Sequence, residues 1–278
     1  MVREMDFVDE CYADKDLSLL KKLTLVIPTY NRNYYLNRCL WYHAHFPFGQ
    51  IIVADSSPEE KKVVNRETVS KIREMLGVDV LYLEYEPETE KYGGDIYRKW
   101  GDAVMHVETE YSQICTDKEF LLPITLTRFI EYLECHQGYV TVDATHYNLS
   151  KENEYLCYNI PTMNLDSDDS YVRFSEMASN PGCTLLALYK TNILKSIYTS
   201  YITHRIQDIR FGELYLEILA AIKGKIITIP DNTPSYRDTT SFTIGNIDQM
   251  KTERKFIVQV FINMGISLRN IFTVLSFV

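Results

Sequence analysis

The chain has no surplus of positive charge, no cysteine framework and no long apolar run, and each absence removes a class of function. Its 29 Lys and Arg stand against 38 Asp and Glu, a net charge of −9 over 278 residues. Binding to a nucleic-acid backbone needs clustered cations to displace counterions, so that class is excluded. An anionic ligand needs a locally built site instead. Cys11, Cys39, Cys115, Cys135, Cys157 and Cys183 stand singly, with no CxxC pair and no histidine at zinc-ligand spacing. This predicts reduced, mostly buried thiols rather than a zinc site or a disulfide scaffold. Residues 1–16 are acidic and polar, unlike a secretory signal. No stretch reaches the ~18 uninterrupted apolar residues of a membrane span, and the expectation is a soluble, cytoplasmic protein. GxSxG, Walker and GxGxxG patterns are also missing, which leaves hydrolase and dinucleotide-enzyme readings without a residue pattern.

What is present is a large apolar fraction, 46% against 24% charged, enough to bury the core of one domain. The run at residues 23–27 is apolar and partly β-branched and closes at Pro28, which predicts a buried strand followed by a loop and a helix over 34–45. Gln50 to Asp55 repeats the pattern and leads into a charged helix ending near residue 76. Further strands are expected at 78–85 and 111–116, separated by a helix over 95–107. This alternation predicts an α/β fold with a mainly parallel central sheet, because each crossover supplies a helix to cover a face. The second half is less regular, with helices expected at 122–136, 191–200 and 206–223 and strands at 138–147, 184–189 and 225–229.

Ligands of such a sheet belong at the carboxyl ends of its strands. Two segments there carry chemistry. Val26 to Arg32 reads V-I-P-T-Y-N-R, and Ile52 to Ser56 reads I-V-A-D-S, placing a hydroxyl, a guanidinium and a carboxylate at the ends of two strands. Read bare, they suit either a nucleotide pocket or two ordinary loops with helix-capping Asn and Ser. After the strand at 111–116 comes Asp117-Lys118-Glu119. In extended backbone alternate residues share a face, so Asp117 and Glu119 can reach one hard cation. The same residues also suit a solvated turn that caps the next helix.

Together these segments resemble glycosyltransferase family 2, whose pattern is a strand into P-T-Y-N-R, a second strand ending in an acid, and an acidic D-x-D turn after a later strand. The resemblance runs from about residue 23 to residue 123. It implies a GT-A fold over 23–240, with a nucleotide-binding half at about 23–122 and an acceptor half at 123–240. Residues 1–22 would form an N-terminal extension and 241–278 a C-terminal helical appendage. It implies that Pro28, Thr29, Tyr30 and Arg32 line a nucleotide-sugar pocket, UDP-sugar being the favoured donor, and that Asp55, with Asp95 or Arg98, meets the base or sugar. Asp117 and Glu119 would hold Mg2+ or Mn2+ against the donor diphosphate, and Arg237 would add a phosphate contact. An inverting transfer to a glycan or lipid-linked acceptor, as in surface polysaccharide synthesis, needs a base. Asp208 stands where the family carries an acid at a helix start, with Glu213 in reserve. Either acid also suits a plain helix-terminal or surface charge. The departures are D-K-E for D-x-D and Gln207 for the first acid of an E-D pair. They motivate an alternative, a GT-A-like module that binds nucleotide sugar or glycan without catalysis.

From residue 255 onward Ile257, Val260, Phe261, Met264, Leu268 and Ile271 recur at three- and four-residue steps beside Lys251, Arg254, Lys255 and Arg269. This predicts an amphipathic helix, suited to a peripheral membrane contact or to packing on the core or on a second subunit. The apolar pattern is still running at Val278, as in a module cut from a longer protein.

Overall fold

The computed structural model describes residues 15–87, 96–144, 146–149, 156–158, 163–182, 184–204, 209–229 and 235–238. Asp95, Asp208 and the amphipathic segment beyond residue 238 lie outside them.

The first strand, β1 (Leu23–Thr29), is buried at every position, as expected of a central parallel strand covered on both faces. Its alternation sorts side chains between two cores: Leu23, Leu25 and Ile27 enter one, and Val26 the other. Helix α1 (Asn33–His43) follows, then β2 (Gln50–Asp55), α2 (Glu59–Leu76) and β3 (Val80–Glu84). The limits of α2 are legible in its chemistry. Glu59 and Glu60 sit in the first turn, where the helix dipole favours acids, and Gly77 closes the end in the left-handed region at φ 66°. Next come α3 (Ile96–Met105), β4 (Tyr111–Ile114), β5 (Glu119–Phe120), α4 (Pro123–Cys135) and β6 (Tyr139–Ala144). The remaining elements are β7 (His146–Leu149), β8 (Leu156–Tyr158), β9 (Asn164–Leu165), α5 (Ser170–Ser179), β10 (Leu188–Lys190), α6 (Thr191–Thr203), α7 (Ile209–Lys223), β11 (Lys225–Ile229) and β12 (Ser235–Asp238).

The central sheet has the order β3-β2-β1-β4-β10-β6-β11-β9. Neighbouring pairs in β3-β2-β1-β4 are parallel, as is β6 with β11. Strands β10 and β9 run against their neighbours. Helices α1, α2 and α4 pack on one face through Leu36, Leu40, Val69, Ile72, Phe129 and Leu133. On the other lie α3, α5, α6 and α7, with Val104, Phe174, Ile197, Tyr198 and Leu219. The expected α/β fold with a mainly parallel sheet, the GT-A arrangement, is what forms.

A second sheet of order β5-β12-β7-β8 was not legible in the pattern. The strand expected over 138–147 stays in the central sheet only to Ala144, and His146–Leu149 belongs to the second. Over 184–189 only the end pairs. Ala187 N–H closes a turn on the Thr184 carbonyl at 3.1 Å, and Gln113 Nε2 takes the Leu186 carbonyl at 2.8 Å, so the ladder starts at Leu188. Among the described residues no helix is long and apolar enough to cross a membrane.

Candidate functional site

The carboxyl ends of β1, β2 and β4 meet at one end of the central sheet. After Thr29 the chain turns sharply through Asn31, whose φ is 54°. Asn is among the few side chains that enter this left-handed region readily. The Asn31 N–H donates to Ser57 Oγ at 2.8 Å and the Ser56 N–H to the Thr29 carbonyl at 3.2 Å, so the loops after β1 and β2 are tied to one another. The turn leaves Tyr30 and Arg32 exposed at the mouth of the site.

Asp55, at the end of β2, is 0% exposed. Its Oδ1 accepts from the Ser57 N–H at 2.7 Å, and its Oδ2 from Asn65 Nδ2 at 2.7 Å and from the Tyr82 hydroxyl. Burial and this carboxylate together push the Tyr82 phenol well above its ordinary range, so it stays a donor. As it stands, the Asp55 carboxylate organises the loop from within.

Asp117 follows β4 and receives groups from the first loop. Thr29 Oγ1 donates to its Oδ2 at 2.7 Å, and Arg32 Nη1 lies 3.4 Å from its Oδ1. Burial raises the Asp117 carboxyl above its ordinary value, against the opposing pull of Thr29 and Arg32. Arg32 is itself 42% exposed, so water screens its contribution. Glu119 closes the turn: its N–H reaches the Thr116 carbonyl at 2.9 Å, and its Oε2 accepts the Thr116 N–H at 2.9 Å. Asp117, Lys118 and Glu119 are 2%, 4% and 1% exposed. The reading of this segment as a solvated helix-capping turn is therefore overturned. The residue before α4 is Leu122, which offers no side-chain cap.

Pro28, Thr29, Tyr30, Arg32, Asp55, Asp117 and Glu119 are thus gathered at one end of the sheet. Arg98 is exposed on α3, and Glu213 is half-buried on α7. The backbone of Arg237 in β12 pairs in register with Glu119 in β5, so the late segment is laid against the acidic turn. Sequence reasoning missed Lys99, a buried lysine whose Nζ donates to Ser56 Oγ at 2.8 Å and to the Thr29 carbonyl at 3.3 Å. The signal was available: Lys99 falls among Tyr97, Ala103 and Val104 on the inward side of α3, where a lysine needs polar groups to meet it.

The sequence matches no protein-family model and no curated protein. Solved structures of TarS from S. aureus share the fold. The TarS chain aligns with a TM-score of 0.55 at 16% identity, covering 86% of this chain and 39% of that one. TarS 1-349 in complex with UDP aligns at 0.53 and 12% identity, and the same fragment in complex with UDP-GlcNAc at 0.52 and 15%. The chain spans 64% of that fragment. At these identities the likeness carries the fold.

Proposed function

We propose that the chain is an inverting glycosyltransferase of family 2 that moves a sugar from a UDP-sugar to a glycan or lipid-linked acceptor, with Mg2+ or Mn2+ at Asp117 and Glu119. One observation carries the proposal: a buried carboxylate, Asp117, bonded by Thr29 and faced by Arg32, stands where the loops after β1 and β4 meet. It does so in a fold whose solved neighbours include complexes with UDP and UDP-GlcNAc.

The residue types at Asp117 and Glu119 support the choice of ion. Carboxylate oxygens are hard ligands suited to Mg2+ or Mn2+, and burial raises the Asp117 carboxyl despite the nearby Arg32 and Lys118 charges, so a further cation would favour its ionised form. When bound, such an ion neutralises the charge that gathers on a departing diphosphate. The chain's own groups do the rest. Thr29 and Arg32 orient Asp117, with Arg32 exposed and able to turn toward a phosphate oxygen. The tie between the Asn31 and Ser57 loops holds Pro28 and Tyr30 in place for the nucleoside, and Asp55 and Lys99 stiffen the floor beneath. In the transfer, the acceptor oxygen attacks the anomeric carbon as the bond to the diphosphate oxygen breaks, and a base takes the acceptor's proton. Asp208, immediately before α7, is assigned that role, with Glu213 in reserve. Arg98, Asp95 and Arg237 complete the proposed donor contacts.

Calorimetry with UDP, GDP and CMP, each with and without Mn2+, tests the reading. Binding of UDP that strengthens with Mn2+ is expected, and no binding of any nucleotide sinks it. In the same preparation Asp208→Asn should lower turnover by about 10²–10⁴-fold, the usual worth of a general base. Unchanged turnover removes Asp208 from the role. Nucleotide binding without transfer by the wild type would favour the non-catalytic module.

A further inference from the structure

Behind the acidic turn, α1 presents a row of polar groups to its backbone. The thiols of Cys39 and Cys115 both lie against the Glu119 carbonyl, at 3.6 and 3.7 Å. The Tyr42 hydroxyl donates to the Leu121 carbonyl at 3.2 Å, and the Leu121 N–H donates to His43 Nε2, also at 3.2 Å. Cys39 and His43 are one helical turn apart on α1, and Cys115 directly follows β4. The two sulfurs and an imidazole nitrogen lie within 4.8 Å of one another, all buried. The four-residue step from Cys39 to His43 stands in the sequence, whereas the approach of Cys115 comes from the fold.

By donor type the cluster suits a soft metal ion, but the backbone argues otherwise. An N–H aimed at Nε2 requires that nitrogen to accept. A neutral imidazole has one proton, which must then sit on Nδ1. The carbonyl of Cys39 is 2.9 Å from Nδ1 and takes that proton as a hydrogen bond. Neither ring nitrogen keeps a lone pair for a metal.

We propose that His43 is the positioning residue of the acidic turn: a neutral imidazole, protonated at Nδ1, that anchors the Leu121 amide to α1 and so fixes where Asp117 and Glu119 stand. Strand β5 is held from both sides, by β12 along its edge and by α1 from behind. A histidine suits the task because its two nitrogens span from a helix carbonyl to a strand amide. The link from His43 to the ion and diphosphate rests on the proposed transferase reading, whereas the tautomer does not.

Three measurements decide it. Long-range proton–nitrogen spectra of the wild type should show His43 protonated at Nδ1 and bare at Nε2. His43→Gln carries an amide oxygen to about the place of Nε2, whereas His43→Leu fills the space without an acceptor. His43→Leu should speed hydrogen exchange at the Leu121 amide and raise the Mn2+ concentration that half-saturates UDP binding by about tenfold, the worth of one buried donor left unmet. His43→Gln should restore both. The inference is overturned by an Nε2-protonated ring, by stoichiometric zinc that leaves the protein in His43→Leu, or by an Mn2+ requirement that His43→Leu leaves unmoved. If the wild type binds no UDP, the transferase reading falls, and the tautomer and the Leu121 exchange decide the anchor by themselves.

Discussion

Asp117 illustrates how one side chain can carry a cost that the fold tolerates. Burial raises its carboxyl above the ordinary value, so the folded protein takes up that proton more readily than the unfolded chain does. Stability tied to this group is fully present below the ordinary carboxyl range and falls as pH rises through the raised value. An amide at this position has no charge to strip of water. Asp117→Asn should therefore melt at a higher temperature than the wild type at neutral pH in a chelating buffer, with the gap narrowing on acidification, and should lose Mn2+-supported binding of UDP. Scanning calorimetry across pH checks it, and a lower melting temperature at neutral pH would refute the account.

Among the elements, one close approach of two helices is set by a missing side chain. A Cβ added at Gly101 on α3 would meet Cδ1 of Tyr198 on α6 at 2.8 Å and its Cβ at 3.0 Å. Tyr198 is fully buried, so its ring has nowhere to retreat. Gly101→Ala should destabilise by about 1–3 kcal/mol through overpacking, seen as a lower denaturant midpoint with an unchanged slope. How legible an element was depended on how much apolar side chain it carried. Strands β1, β2 and β11 announced themselves as apolar runs because both faces of the sheet are covered. The pair Glu119–Phe120 and the segment Ser235–Asp238 carry little such signal. What makes them strands is backbone pairing between residues far apart in the chain, and no local pattern records it. The site divides the same way. The order of loops holding Arg32, Asp55 and Asp117 could be read because each closes a legible strand. Helical spacing puts Lys99 on the inward face of α3, but the groups that Lys99 and His43 meet lie across tertiary gaps that spacing does not record.

For the molecule as a whole, the groups proposed to hold the donor come from β1, β2, the turn from β4 into β5, α3 and β12, which an unfolded chain does not bring together. Ligand binding should therefore act as a global stabiliser. With UDP and Mn2+ at about 100 times the dissociation constant, the gain is about 2.7 kcal/mol, which in a chain of this size corresponds to roughly 5–10 °C in melting temperature. Either component alone should give a small fraction of that shift. A thermal scan with UDP, Mn2+ and both together checks it, and additive shifts would argue against a shared site. The net charge of −9 points the same way, because a diphosphate approaching this surface meets repulsion that a cation relieves.

The reversed strand β10 also bears on how the chain is made. Strands β1 to β4 pair among themselves and are all made before β10, yet among the described residues it is Leu188–Lys190 that covers the far edge of β4. Until that segment leaves the ribosome, the nascent sheet carries an open edge on one of its most buried strands. Such an edge invites pairing with other chains, so the vulnerable moment falls between the synthesis of β4 and that of β10.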